Sequence, residues 1–260
     1  MHEAAYRALG IDARYHAFDV RPERLADAIR GARALGVRQL AVSLPHKEAV
    51  IPLLDRVDAT ARRIGAVNTV TLRDDLLEGA NTDWLGAVGA LERHGKLAGA
   101  EAVVLGAGGT ARAVVFGLRE RGARGTVLNR TRERAEALAR ELGAERAGPL
   151  EVLAELPCDV HVNTTRVGLR EDASPVRAEW LRAGTRLMDA VYDPPETRLL
   201  RDARARGAEP IGGKWMLVLQ AAEQLRLWTG REAPVEEMAR AFDAAGRTSP
   251  RPRARRDEAT

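Results

Sequence analysis

Apolar residues recur along this chain in two alternating patterns. Short apolar runs closed by glycine or proline, such as Ala102-Val103-Val104-Leu105 before Gly106, read as strands. The stretches between them place apolar residues three and four apart and read as helices. Residues 1–9 read as a helix stopped by Gly10, and Tyr15 to Val20 as a strand. Pro22 opens a helix that runs to about Leu35 and ends at Gly36. Leu40 to Leu44 reads as a short strand, and Pro45 as the start of another helix. Val67–Leu72 and Leu76–Ala80 make a hairpin turning at Asp74-Asp75, and a helix follows from about Thr82 to His94.

The segment Gly95 to Gly99 reads as a domain boundary. Beyond it the pattern predicts a strand over Glu101–Leu105, a glycine loop, and a helix to about Arg121. A strand at Thr126–Asn129, a helix at Arg132–Leu142, and strands at Asp159–Asn163 and Arg186–Ala190 follow. Helices near Met216–Trp228 and Val235–Ala244 then return the chain to its first domain. This alternation predicts an α/β protein of two domains. Residues 1–94, completed by 213–246, form one domain with a mixed sheet. Residues 95–212 form a doubly wound domain with a parallel sheet. Residues 247–260 are expected to be a disordered basic tail.

Composition narrows the class. With 260 residues and 45% hydrophobic content, the chain can bury a core. No apolar run approaches the ~20 residues of a membrane span, and Met1 leads straight into an amphipathic stretch, so no secretory signal is expected. A cytoplasmic protein is expected, with no membrane partner. The one cysteine, Cys158, cannot form an internal disulfide and reads as a small buried hydrophobe. Net charge is +4, and of 41 basic residues only Lys47, Lys96 and Lys214 are lysines. The arginine-rich tail lacks aromatics, so nucleic acid is not an expected partner. The histidines show no metal-ligand spacing, and no metal is expected.

Gly106-Ala107-Gly108-Gly109-Thr110-Ala111 follows an apolar strand and opens a helix. It satisfies G-x-G-x-x-[GA]. Gly106 permits the tight turn, Gly108 lets a pyrophosphate approach the backbone, and Ala111 lets helix and strand pack closely. The free N–H groups of the helix N-terminus face the phosphates. Such Rossmann-type loops usually have an acid near the end of the second strand to hold the ribose of NAD. Here Asn129-Arg130-Thr131 stands there, with Arg134 one turn on. Guanidinium groups suit a 2′-phosphate, which favours NADP. The alternative is that both arginines are ordinary members of an arginine-heavy chain.

A second group of polar residues lies at element ends: Ser43 and Lys47, Asn68-Thr69, and Asn81-Thr82-Asp83. Together they fit a polyhydroxylated substrate. Singly, Lys47 reads equally as a surface lysine, Thr82 and Asp83 as N-caps, and Asn68 and Asn81 as turn residues.

These motifs resemble the shikimate dehydrogenase family over about Met1 to Ala244. The matching segments are Leu44-Pro45-His46-Lys47-Glu48, Gly65-Ala66-Val67-Asn68-Thr69, Asn81-Thr82-Asp83-Trp84-Leu85-Gly86, and the glycine loop through Arg112. Asn129-Arg130-Thr131, Asn163-Thr164-Thr165-Arg166-Val167-Gly168, Asp189-Ala190-Val191-Tyr192 and Gly212-Gly213-Lys214-Trp215-Met216 through Gln220 complete them. The resemblance implies NADPH-dependent reduction of 3-dehydroshikimate to shikimate. It implies Lys47 and Asp83 as the catalytic pair, and Ser43, Asn68, Tyr192 and Gln220 as further substrate contacts. Gly106, Ala107, Gly108, Gly109, Thr110, Ala111, Arg112, Asn129, Arg130, Thr131, Arg134, Ala190 and Gly213 match cofactor contacts. A monomer or homodimer is expected. Two alternatives stay open: a quinate/shikimate dehydrogenase using NAD or NADP, and a non-catalytic NADP-binding paralogue. The family usually carries a strand and a carboxylate-binding Ser-x-Ser-Pro segment ahead of the residues aligned with Met1-His2. Their absence raises the expectation of a misplaced start or a truncation.

Overall fold

A computed structural model describes residues 1–248. Two sheets organise the chain. The first has strands β1 (Gln39–Ala41), β2 (Arg56–Val57), β3 (Thr69–Arg73) and β4 (Leu76–Ala80) in the order β1-β3-β4-β2. β3 runs antiparallel to β1 and β4, whereas β2 is parallel to β4, so the sheet is mixed. Asp74 and Asp75 both adopt positive φ, 47° and 62°, the backbone a two-residue hairpin turn requires. Around this sheet lie α1 (His2–Leu9), α2 (Leu25–Ala34), α3 (Ala59–Ile64) and α4 (Asp83–Glu92).

The second sheet contains β5 (Glu101–Leu105), β6 (Arg124–Leu128), β7 (Arg146–Gly148), β8 (Val160–Asn163), β9 (Arg186–Asp189) and β10 (Glu209–Ile211). Their order is β10-β9-β8-β5-β6-β7, and every pairing is parallel. The helices α5 (Gly109–Glu120), α6 (Arg132–Leu142) and α7 (Arg198–Ala205) cover it. Alternate residues of β5 serve opposite faces. Ala102 and Val104 pack with Val114 of α5 and Leu138 of α6, whereas Val103 and Leu105 pack with Leu199 and Ala203 of α7. Burial on both faces explains why this strand reads as a continuous apolar run. The chain winds outward from β5 through β6 and β7, then from β8 through β9 and β10. The reversal lies between β5 and β8, where open α/β sheets bind ligands at the carboxyl ends of their strands.

The last two helices, α8 (Lys214–Thr229) and α9 (Val235–Thr248), pack back on α1 through Val218, Leu225 and Met238 against Ala5 and Tyr6. No helix among the described residues is long and apolar enough to cross a membrane.

Several expectations require correction. Tyr15–Val20 is not a strand: residues 11–20 have no regular structure, and Phe18 is 74% exposed. Side chains take up its backbone instead. Tyr15 N donates to Glu3 Oε1 at 3.4 Å, and the Val20 carbonyl meets His46 Nε2 at 2.8 Å. The strand expected at Leu40–Leu44 ends at Ala41, and no α-helix starts at Pro45. There the Lys47 carbonyl accepts from Val67 N at 2.8 Å, so it is lost to a helical turn, and Pro52 has no N–H to continue one. Arg247 and Thr248, expected at the start of a disordered tail, belong to α9; residues 249–260 of that expected tail lie outside the described residues.

Candidate active site

Lys47 follows the turn at the cis Leu44–Pro45 bond, and the Val67 N–H anchors its backbone. Its side chain runs inward and leaves the residue only 9% exposed. Asp83 is the first residue of α4 and is 5% exposed. Lys47 Nζ donates to Asp83 Oδ2 at 2.6 Å and to Thr110 Oγ1 at 3.1 Å. A buried ion pair of this kind needs its other lone pairs satisfied. Asn68 Nδ2 does this, donating to Asp83 Oδ1 at 2.8 Å.

Asn68 connects the pair to α8. Its amide also reaches Gln220 Oε1 at 3.1 Å, and its Oδ1 accepts from Thr82 N at 2.8 Å. The capping reading of Thr82 therefore fails in part. Thr82 occupies the N-cap position of α4 but makes no side-chain capping bond. Its hydroxyl lies 3.0 Å from Asn68 Nδ2 instead. Asn81 is a turn residue with two tasks: Nδ2 donates to the Ala66 carbonyl and Oδ1 accepts from Asp83 N. Ser43 is exposed and its hydroxyl joins no part of this network. Tyr192 is 44% exposed and rests edge-on against Phe242 of α9.

The glycine loop lies beside this network. Gly106 has φ 110°, and a Cβ there would sit 2.7 Å from the Thr164 hydroxyl at the head of the β5/β8 crevice. Gly108 faces open space, with nothing within 4 Å of where its Cβ would stand. Helix α5 begins immediately afterwards with no side-chain cap, so its first N–H groups are free for an anion. Ala111 is buried against the sheet. Arg130 and Arg134 are exposed past the end of β6, and among the described residues neither guanidinium has a side-chain partner. Asn129 Nδ2 ties back to the Thr131 carbonyl at 2.9 Å. These are the features a 2′-phosphorylated dinucleotide needs: a cradle without side chains, a helix N-terminus and unpaired cations.

Arg112 is committed elsewhere. Its Nε donates to the Ile64 carbonyl and its Nη2 to Glu141 at 2.6 Å, which joins α5 to the end of α3 and to α6. Gly213 is packed tightly: a Cβ there would lie 2.8–2.9 Å from the carbonyl oxygens of Asp189, Ala190 and Val191. That turn is held by Asp189, which accepts from Asn163 Nδ2, Val191 N and Thr197 Oγ1. Burial pushes the Asp189 carboxyl above its ordinary range, and the three donors oppose the rise. Lys214, the other conspicuous lysine, pairs with Asp243 at 2.7 Å.

This arrangement has relatives. Family profiles match in three segments: the shikimate dehydrogenase substrate binding domain over residues 1–70, shikimate/quinate 5-dehydrogenase over 89–165, and the shikimate 5′-dehydrogenase C-terminal domain over 213–241. A shikimate dehydrogenase (NADP+) of Natronomonas pharaonis is 48% identical over 240 residues, covering 92% of this chain and 90% of the relative.

The chain belongs to the shikimate dehydrogenase family.

Among solved structures, the shikimate 5-dehydrogenase of Thermus thermophilus in complex with NADP(H) and shikimate superposes with a TM-score of 0.87. It is 42% identical and the match covers 94% of this chain and 92% of that one. A ligand-free 5-ketofructose reductase of a Gluconobacter strain is also similar, with a TM-score of 0.81, 37% identity and coverage of 93% and 91%. The architecture is therefore also found in a reductase of another polyhydroxylated ketone.

Two buried polar residues that support these elements escaped the sequence reading, one beside Asn68 and one beside Asp189. Gln224, 1% exposed on α8, donates to the Asn68 carbonyl at 3.2 Å and to Thr69 Oγ1 at 3.0 Å. A glutamine one turn after Gln220 on the same helical face was the available signal. Thr197 caps α7, accepting from Leu200 N, and holds Asp189. A threonine ahead of Leu199-Leu200 marked that helix start.

Proposed function

We infer that this chain is an NADP-dependent shikimate dehydrogenase, which reversibly reduces 3-dehydroshikimate to shikimate in aromatic amino-acid biosynthesis. One observation carries the reading: a buried Lys47–Asp83 pair lies between a ring of amide and hydroxyl groups and the glycine loop of a dinucleotide fold. On this reading the mixed-sheet domain, with α8 and α9, binds the substrate and the parallel-sheet domain binds the cofactor.

NADPH supplies the hydride when bound at the glycine loop. As hydride reaches the C3 carbonyl, negative charge develops on its oxygen. Lys47 Nζ has three N–H groups, of which Asp83 and Thr110 accept two. The third is available to hold a proton at that oxygen and to stabilise the developing alkoxide. Asp83 fixes the ammonium and offers its remaining lone pairs to a ring hydroxyl. Asn68 and Gln220 supply further donors and acceptors for hydroxyls. Each unpaired buried hydroxyl is costly, which makes such a site selective for its triol. Arg130 and Arg134 would hold the 2′-phosphate of the cofactor, and Gly213 lets the start of α8 pack against the carbonyls of the Asp189–Val191 turn.

The test is a comparison of initial rates with shikimate, quinate and fructose (the product of 5-ketofructose reduction), each with NADP and NAD. The reading predicts the highest kcat/KM for shikimate with NADP. Faster turnover of quinate or fructose, or a preference for NAD, overturns it.

A further inference from the structure

We propose that Thr110 is a positioning residue for Lys47, and that through it the helix that opens on the cofactor also aims the lysine. The proposal rests on Lys47 being the group that faces the reacting oxygen. Thr110 belongs to the glycine loop by sequence, yet its hydroxyl lies 3.1 Å from Lys47 Nζ, across the boundary between the two sheets. The approach is built into the backbone. A Cβ on Gly109 would stand 3.0 Å from Lys47 Cβ and 3.4 Å from Ala66 Cβ, so glycine is what lets α5 come this close.

The geometry has a direct consequence. A lysine is a point charge on a four-carbon stem with large rotamer freedom. One contact, to Asp83 at 2.6 Å, fixes the distance of the ammonium from the carboxylate but leaves it free to rotate about that bond. A second contact on another element fixes the rotation, and the third N–H then points one way only. Alignment of this kind acts on the rate of the chemical step. Thr110 stands on the first turn of α5, beside the amides that face the pyrophosphate, so the frame that holds the cofactor also holds the lysine.

The experiment uses the intact protein with Thr110→Val, Thr110→Ser, Lys47→Ala, and Thr110→Val combined with Lys47→Ala. Steady-state kcat and KM for shikimate oxidation and the Kd of NADPH by calorimetry are measured for each. Loss of a hydrogen bond to a charged group predicts that Thr110→Val lowers kcat by about tenfold or more. The NADPH Kd stays within about threefold of wild type, and Thr110→Ser recovers most of the rate. In the Lys47→Ala background, Thr110→Val has no further effect, because the partner is already gone. A weakened NADPH Kd with unchanged kcat makes Thr110 a phosphate contact and overturns the proposal. So does a serine variant as slow as the valine, or the same rate factor in the Lys47→Ala background as in wild type. If Lys47→Ala alone keeps the wild-type rate, the assignment of Lys47 fails, and the proposal with it.

Discussion

Replacing His161 with leucine should remove one of two comparable sources of sensitivity to mild acid, the other being His2, whose pKa burial also lowers to about 4. His161 lies on β8, fully buried beneath the parallel sheet, and its Nε2 has no hydrogen-bond partner among the described residues. The cavity beside it is about 10 Å³ and is lined by Leu153, Cys158, Trp180, Arg182 and Thr185 among others. It holds no carboxylate, and its one charged side chain, Arg182, has the same sign as an imidazolium. Burial therefore lowers the His161 pKa to about 4, against an ordinary value of 6.5. Well above pH 6.5, by about pH 7.5, the ring is neutral in folded and unfolded chains alike and contributes almost nothing to the pH dependence. Between pH 6.5 and 4 the unfolded chain takes up a proton that the folded one refuses, so stability falls with pH. The ratio of proton affinities is worth about 2 kcal/mol at pH 5 and approaches about 3 kcal/mol at pH 4. Urea unfolding followed by tryptophan fluorescence tests this, since Trp180 lines the same cavity. The difference between His161→Leu and wild type should grow by about 2 kcal/mol between pH 7.5 and pH 5. Parallel stability curves over that interval would refute the reasoning.

Other outcomes follow from the same geometry. Arg130→Ala should lower kcat/KM for NADP by about 10- to 100-fold, the worth of a charged hydrogen bond, and leave the value for NAD within a few fold; steady-state rates with both cofactors check it. Gly213→Ala places a methyl 2.8–2.9 Å from three carbonyl oxygens and should cost most of the activity and lower the thermal midpoint, although φ at that residue, −68°, is ordinary. Asn68→Ala removes a partner from Asp83 and Gln220 and should raise the KM for shikimate by about tenfold, with the KM for NADP little changed.

The parts of the fold that a local pattern determines were legible in the sequence. β5, the glycine loop and α5 are contiguous, so a double-sided apolar run, a turn and a helix start appear in one stretch. The β3/β4 hairpin was legible for the same reason, because Asp74-Asp75 lies between two apolar runs. What escaped depends on partners distant in sequence. β7 and β10 are three-residue edge strands, and β10 contains Pro210, which only an edge tolerates. Tyr15–Val20 has the composition of a strand, but a strand exists only where another lies beside it, and none does among the described residues. Pro45 reads as a helix start, but the Lys47 carbonyl is claimed by Val67. In the site, Lys47, Asn68 and Asp83 could be named, whereas the contacts of Gln224 with Asn68 and of Thr110 with Lys47 span 156 and 63 residues and needed the folded chain.

On the proposed function, NADPH supplies the hydride and Lys47 and Asp83 the proton chemistry for reduction of a shikimate-type ketone. Initial rates of NADP reduction by shikimate, measured for wild type and for Lys47→Ala shown to be folded by circular dichroism and to bind NADPH, test it most directly. Loss of a general acid–base group predicts a fall of about 10²-fold or more in kcat. A variant that turns over shikimate within a few fold of wild type would contradict the account.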